Sequence, residues 1–208
     1  MSLIVKICGI TRVDDALAAV DAGADWIGLN FWPGTPRCVD PETARALVSA
    51  IAGRAEAVGV FVNAEVTTIV QTIAAVGLDR VQLHGTEPAS WLSQLPIPGF
   101  KAFAIDSRED LAEIPPYLPS SDNLFLLDAR HPTLPGGTGL RVNVELAREA
   151  TTLGRMMLAG GLRPENVGEA IAAVQPCGVD TASGVESAPG IKDAAAMRSF
   201  VAAARDAA

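Results

Sequence analysis

Two residues of the sequence have the types and positions that reactive side chains of an enzyme require. Cys8 lies at the end of the apolar run LIVKIC, and the alternation of side chains along a strand places Lys6 on the same face. A cation on that face favours the reactive thiolate; the alternative is that Cys8 is a small buried hydrophobe. Asp128 ends the run NLFLLD, where it could act as an acid if the following loop excludes water, or could cap that loop or pair with Arg130.

Two glycine-rich turns offer backbone N–H groups to an anion. They read AGGL at 159–162 and ASGVE at 182–186, and each follows an apolar run and precedes a helical pattern. Exposed N–H groups at such turns and at helix N-termini bind a phosphate monoester. We therefore predict one phosphate site, formed by Gly160, Gly161, Ser183 and Gly184.

Three further side chains are candidates for contact with a substrate. Arg37 ends the loop FWPGTPR, whose Pro and Gly residues make it stiff; an exposed Arg is usually solvated, but one held on a rigid loop can bind a planar carboxylate through two N–H groups. Gln82 and His84 end the run RVQLH, where they line the mouth of a site or serve only the structure. Two His and three Cys without CxxC spacing indicate no metal site and no disulfide framework.

Charge and hydropathy exclude several classes of protein. The net charge is −8 and no run of Lys or Arg occurs, so a nucleic-acid partner is not expected. The apolar runs are far shorter than the roughly 20 residues that span a bilayer, and the start MSLIVKICG lacks the pattern of a signal peptide. We expect a soluble, cytoplasmic protein with a small-molecule substrate and no membrane partner.

The elements that must position these residues repeat along the whole chain. Eight apolar runs begin at residues 3, 25, 57, 80, 100, 123, 156 and 177. Helical patterns follow at about 12 to 22, 41 to 52, 64 to 76, 87 to 94, 107 to 114, 143 to 153, 163 to 173 and 192 to 205. This repeat predicts a single-domain (β/α)8 TIM barrel over residues 1–208, with a doubly wound open sheet as the competing topology. In a barrel, the C-terminal ends of the strands meet at one face, which brings the candidate residues together.

The ordered motifs resemble those of the phosphoribosylanthranilate isomerase family. They are KICGIT at 6–11, GLNFWPGTPR at 28–37, VGVFVN at 58–63, VQLHG at 81–85, LLD at 126–128, GGTG at 136–139, LAGGLRPENV at 158–167, SGVE at 183–186 and PGIKD at 189–193. The resemblance implies an Amadori rearrangement of phosphoribosylanthranilate in tryptophan biosynthesis, without a cofactor. It also implies that Cys8 is the base, Asp128 the acid and Arg37 the ligand of the anthranilate carboxylate. Where the family usually has Phe-Asp-Trp, this chain has Val-Asn-Val at 142–144, which could loosen the preceding loop.

Two other functions compete with this interpretation. A related barrel isomerase of histidine biosynthesis runs the same rearrangement, but it uses two phosphate sites and a carboxylate base at the position of Cys8. Glu65 and Glu87 follow the third and fourth runs, where a second phosphate would lie, and their charge would repel it. A catalytically silent sugar-phosphate-binding protein would not need both Cys8 and Asp128. The resemblance is compatible with a monomer or a homodimer.

Overall fold

Eight parallel strands close into a barrel in the computed structural model, which describes residues 3–128 and 143–208. The strands are β1 (Ile4–Cys8), β2 (Trp26–Asn30), β3 (Glu56–Phe61), β4 (Arg80–Leu83), β5 (Gly99–Ala104), β6 (Leu124–Asp128), β7 (Arg155–Ala159) and β8 (Gly178–Thr181). Each strand pairs with the next, and β8 pairs with β1, where Lys6 lies opposite Asp180. The predicted TIM barrel is confirmed, and the open sheet is wrong.

Within residues 3–128 and 143–208, six α-helices pack outside the barrel. They are α1 (Val13–Asp21), α2 (Pro41–Ile51), α3 (Val66–Val76), α4 (Val144–Thr151), α5 (Val167–Val174) and α6 (Ala194–Asp206). Side chains cap three of them: Asp40 accepts from Thr43 N, Asn143 from Leu146 N, and Asp193 from two backbone N–H groups of α6. Asn143 belongs to the Val-Asn-Val departure, so the unusual segment still supplies the cap that starts α4.

Two of the predicted α-helices are instead short 3₁₀ segments. Ala89–Gln94 replaces the helix predicted at 87 to 94, and Glu109–Glu113 with Pro115–Ser120 replaces the one at 107 to 114. Prolines flank or enter these segments and remove backbone donors that an α-helix needs. No helix of the described residues is long and apolar enough to cross a membrane.

The chain has two apolar cores because a barrel strand buries both of its faces. Alternate strand residues fill the barrel interior, where the rings of Trp26 and Phe100 lie 5.9 Å apart. The other residues pack between the sheet and the helices. The interior core fills the lower part of the barrel, so the side chains at the C-terminal strand ends face a space that is left open above it.

A small hairpin after β8 was not predicted. Its strands are β9 (Glu186–Ala188) and β10 (Ile191–Lys192), and they pair antiparallel. Thr11 Oγ1 donates to Gly190 O at 2.6 Å, and Lys192 N donates to a carboxylate oxygen of the buried Asp15 at 3.0 Å. The hairpin thus binds the last βα connection of the barrel to the first.

Candidate active site

One cavity of about 540 Å³ opens at the C-terminal ends of the strands. The structure brings every predicted site residue to it: Cys8, Arg37, Gln82, His84, Asp128, Gly160, Gly161, Ser183 and Gly184. This size accommodates a ligand as large as a sugar phosphate with an aromatic substituent. The residues converge because each lies at the C-terminal end of a barrel strand or in the loop that follows it.

The thiol of Cys8 lies at the end of β1, beside a buried ion pair. Lys6 lies two residues before Cys8 on the same face of β1 and is fully buried. Its Nζ is 3.1 Å from Asp180 Oδ1. Cys8 pairs with Gly28 of β2, where a Cβ atom would lie 2.7 Å from the Cys8 Sγ. Glycine at this position therefore leaves the room that the thiol occupies.

The environment of Cys8 disfavours the thiolate more than the sequence suggested. Burial raises the pKa of the Cys8 thiol, and the carboxylate of Asp180 raises it further. Lys6 lowers this pKa, as expected, and Lys192 does too, but the net shift is upward. The expected cation is present, but burial of the thiol, together with the charge of Asp180, outweighs its effect on this pKa.

Asp128 ends β6 and reaches the cavity with a small exposed fraction of its side chain. The Nε2 atom of His84 is 3.4 Å from Asp128 Oδ2. On the other side of the imidazole ring, Nδ1 is 2.8 Å from Gln82 Nε2, and Gln82 Oε1 accepts from Lys6 Nζ at 3.0 Å. A continuous series of polar contacts therefore runs across the barrel from Lys6 to Asp128.

The guanidinium of Arg37 is held in place by a carboxylate of the hairpin. Its Nε and Nη2 donate to the two oxygens of Glu186 at 2.7 and 2.6 Å. Lys192 Nζ also donates to Glu186 at 2.9 Å. Burial alone would raise the pKa of Glu186, but the hydrogen bonds from Arg37 and Lys192 outweigh it and hold this pKa below its usual value. The pair uses two of the five N–H groups of Arg37, which leaves the opposite edge of the guanidinium for a second carboxylate.

The loops after β7 and β8 meet at the predicted phosphate site. A Cβ atom at Gly184 would lie 1.9 Å from the carbonyl oxygen of Leu162, so only glycine permits this contact. Thr181 Oγ1 donates to the same oxygen at 2.7 Å. The last helix lies where it was predicted, but it does not directly follow Ser183 and Gly184: a short 3₁₀ turn, Ser183–Val185, and the hairpin come before α6.

Behind the opposite side of the cavity, the loops after β3 and β4 enclose a carboxylate of the protein itself. Glu87 is buried, and its two oxygens accept from Asn63 N at 2.7 Å and Gly85 N at 2.9 Å. Lys101 Nζ lies 3.5 Å from the same carboxylate. The N–H groups of the loops after β3 and β4 are therefore occupied by Glu87, whereas Glu65 is exposed at the start of α3.

Two functional side chains escaped the sequence prediction. The alternation of side chains along β8 directs Asp180 into the barrel, as it does Lys6 on β1. Two inward side chains of opposite charge on apolar strands indicate an ion pair, so this contact could have been predicted. Glu186 gave no such signal, because nothing local shows that it meets Arg37. The predicted lid, Arg130 and His131 lie outside the described residues. Within the described ranges, no cluster of three His, Cys, Asp or Glu residues could hold a metal ion.

Comparison with known proteins gives consistent results over nearly the whole chain. The family model for N-(5'phosphoribosyl)anthranilate (PRA) isomerase matches residues 5–203. The N-(5'-phosphoribosyl)anthranilate isomerase of Myxococcus xanthus is 46% identical over 207 residues, which cover 99% of this chain and 97% of the relative. The crystal structure of the Thermotoga maritima isomerase is 36% identical with a TM-score of 0.88, and the match covers 98% of this chain and 99% of that one.

A second solved structure contains a bound molecule. It is described as the isomerase in complex with reduced 1-(o-carboxyphenylamino)-1-deoxyribulose 5-phosphate, and it is 36% identical to this chain with a TM-score of 0.86. The match covers 98% of this chain and 99% of that one. On the family match, the sequence identity and the shared fold, this chain belongs to the N-(5'-phosphoribosyl)anthranilate isomerase family.

Proposed function

We propose that Cys8 and Asp128 are the general base and the general acid of the isomerase reaction of this family. As a family member, the chain is an isomerase of tryptophan biosynthesis. The observation that carries the assignment is that both side chains end barrel strands and line the same cavity as Arg37 and the glycine turns. The ligand described in the solved relative has a carboxylate, a sugar chain and a phosphate, and this cavity offers a matching group for each.

The proton transfers follow from these positions. Asp128 gives its proton to the ring oxygen as the bond from that oxygen to C1 breaks, which leaves a protonated Schiff base at C1. The Cys8 thiolate then removes the proton from C2, and the electron pair of that bond forms the enolamine. The enol hydroxyl returns a proton to Asp128 while Cys8 protonates C1, so the ketone product forms and both residues are reset. Each transfer contributes about 10²- to 10⁴-fold to the rate.

The two charged ends of the substrate are assigned to separate groups that line the cavity. The free edge of Arg37 binds the anthranilate carboxylate, and the N–H groups at Gly160, Gly161, Ser183 and Gly184 bind the phosphate. Gln82 and His84 line the wall between Cys8 and Asp128, and their contact with substrate stays a prediction.

The position of Glu87 supports one phosphate rather than two. Its carboxylate already accepts the N–H groups after β3 and β4 that a second phosphate would need. A phosphate brought there would meet a buried negative charge and few remaining donors. The substrate of the related histidine-pathway isomerase, which carries two phosphates, is therefore not expected to react.

Oligomeric state and cellular compartment remain predictions. One solved relative is described as mutually generated monomers of a dimeric isomerase, so both states occur with this fold. The exposed large hydrophobic side chains among residues 3–128 and 143–208 are Val13, Trp32 and Ile191. Trp32 also lines the cavity mouth, and these residues alone do not require a second copy.

A fluorescence assay of phosphoribosylanthranilate consumption tests the assignment. Wild-type protein is expected to consume the substrate, and Cys8→Ala and Asp128→Asn are each expected to lose at least about 100-fold in kcat. Cys177→Ala is the matched control, because that thiol lies at the other end of the barrel and is expected to leave kcat unchanged. Retention of more than about a tenth of kcat by Cys8→Ala would exclude this base, and a mere shift of the pH optimum in Asp128→Asn would exclude this acid.

A further inference from the structure

The imidazole of His84 is held between two groups of opposite hydrogen-bonding character. Its Nδ1 faces the amide of Gln82 at 2.8 Å, and its Nε2 faces the Asp128 carboxylate at 3.4 Å. We propose that Lys6, acting through Gln82, fixes the tautomer of His84 that presents an N–H group to Asp128. Gln82 and His84 are then positioning residues for the acid, an inference that rests on the proposed role of Asp128.

The direction of each hydrogen bond follows from Lys6. Its buried ammonium group lies between Asp180 Oδ1 at 3.1 Å and Gln82 Oε1 at 3.0 Å, and an ammonium group can only donate. Burial alone would lower the pKa of Lys6, but Asp180 and Cys8 outweigh it and raise this pKa, so the cation persists. The Gln82 oxygen must therefore face Lys6, which turns the amide nitrogen toward His84.

The amide nitrogen of Gln82 can only donate, so Nδ1 of His84 must accept. A neutral imidazole carries one proton, and with Nδ1 as acceptor this proton lies on Nε2. The orientation of an amide and the tautomer of a His are assigned from such a network, and here a single cation determines both. The Nε2–H group then points toward Asp128.

This tautomer matters at the moment when Asp128 loses its proton. The carboxylate that forms gains a charge-assisted hydrogen bond from Nε2–H, so the proton leaves more readily. The other tautomer would place a nitrogen lone pair against the new negative charge. The 3.4 Å separation is longer than an ordinary hydrogen bond, and contacts of this kind tighten when substrate is bound. His84 keeps its proton throughout the reaction, and the proton balance of the mechanism is unchanged.

Nitrogen-15 NMR of the His side chains tests the tautomer without any turnover. The chain has only two His, so a His131→Asn variant identifies the signals of His84. We expect Nε2 to be protonated and Nδ1 unprotonated. In Gln82→Glu, a carboxylate accepts from both Lys6 and the ring, so the proton is expected to move to Nδ1. A wild-type His84 protonated at Nδ1 would overturn the proposal, and so would a folded Gln82→Glu variant with an unchanged tautomer.

A pair of substitutions tests the effect on the acid. His84→Met removes the donor, and kcat is expected to fall about 10- to 100-fold, the effect of losing one hydrogen bond to a charged group. His84→Gln places an amide N–H near the position of Nε2, so part of the lost kcat is expected to return. Equal kcat in the two variants, or a loss confined to KM, would overturn the role in acid catalysis. If wild-type protein does not turn over phosphoribosylanthranilate, the proposed function fails, whereas the tautomer measurement still decides between a fixed and a free ring.

Discussion

At the scale of single residues, the thiol of Cys8 combines a reactive position with an unfavourable charge environment. Lys6 and Lys192 favour the thiolate, but burial and Asp180 oppose it and prevail. The resting enzyme therefore holds Cys8 mainly as the neutral thiol near pH 7. For Cys8 to act as the proposed base, the bound substrate must react with the small population of enzyme that has an ionised thiol, or must help to ionise this thiol.

Alkylation of Cys8 by iodoacetamide should reveal this raised pKa. Only the thiolate reacts, so the rate is expected to rise about tenfold per pH unit from pH 7 to above pH 9, where an unperturbed thiol already levels off. The rate is followed by mass spectrometry of the peptide that contains Cys8, with an unstructured thiol peptide as the reference. A plateau reached below pH 8 would show that the cations prevail over burial.

The ion pair between Arg37 and Glu186 also makes a prediction at this scale. Glu186→Gln removes the charge and one of the two hydrogen-bond acceptors that hold the guanidinium, so KM for phosphoribosylanthranilate is expected to rise about tenfold with a smaller change in kcat. Arg37→Lys keeps the charge but loses the planar fork, and it is expected to lower kcat/KM. Glu65→Gln is the control, because Glu65 is exposed on the start of α3. An unchanged KM in Glu186→Gln would mean that Arg37 needs no support from the hairpin.

At the scale of elements, the strands were predictable and the connections were not. The eight strands appear as apolar runs because helices cover their outer faces, and their positions agree with the sequence. The sequence predicted α-helices near the segments Ala89–Gln94 and Pro115–Ser120, which are 3₁₀ helices in the structure. The pattern of apolar residues is helical in both forms, and the nearby prolines, which prevent a full α-helix, were given too little weight. The β9–β10 hairpin was missed because its stability comes from Thr11 and Asp15, which are distant in sequence.

The candidate site, too, could be predicted from the sequence only in part. Cys8, Asp128 and the glycine turns could be placed from the sequence because a barrel brings all strand ends to one face. The partners of these residues could not be placed, because contacts such as Gln82 with Lys6 depend on the register between strands and on which side-chain atoms face each other.

The contact between the loops after β7 and β8 gives a prediction at the scale of elements. In Gly184→Ala the new methyl group would collide with the carbonyl of Leu162, so the two loops must separate. The backbone N–H groups that we propose to bind the phosphate would then lose their alignment. Inorganic phosphate is expected to bind at least about tenfold more weakly, measured by titration calorimetry. Gly168→Ala in α5 is the matched control, because its Cβ would have ordinary contacts. Unchanged phosphate affinity in Gly184→Ala would place the phosphate elsewhere.

At the scale of the whole molecule, the two sides of the barrel mouth differ in the groups that they offer to an anion. The side formed by β7 and β8 lines the cavity with the glycine turns that we propose as the phosphate site, whereas on the side formed by β3 and β4 the N–H groups of Asn63 and Gly85 already donate to Glu87. We expect this asymmetry to orient a substrate that has only one phosphate.

Crystals soaked in sulfate or phosphate test this asymmetry. One anion is expected, bounded by Gly160, Gly161, Ser183 and Gly184, and no turnover is expected with the aminoimidazole ribonucleotide substrate of the histidine pathway. Substrate with a single phosphate serves as the positive control in the same assay. An equally occupied anion beside Glu87, or measurable turnover of the bisphosphorylated substrate, would contradict a one-phosphate site.

The hairpin after β8 has a consequence for the time at which the enzyme becomes active during synthesis. Lys6, Arg37 and Asp15 are made well before their partners Asp180, Glu186 and Lys192. Domains generally begin to fold from the N-terminus as they emerge, yet here β1 must wait for β8 to complete its pairing. A growing chain can therefore contain both residues proposed for proton transfer and remain inactive. We expect catalysis to begin only when β8 and the hairpin have closed the ring.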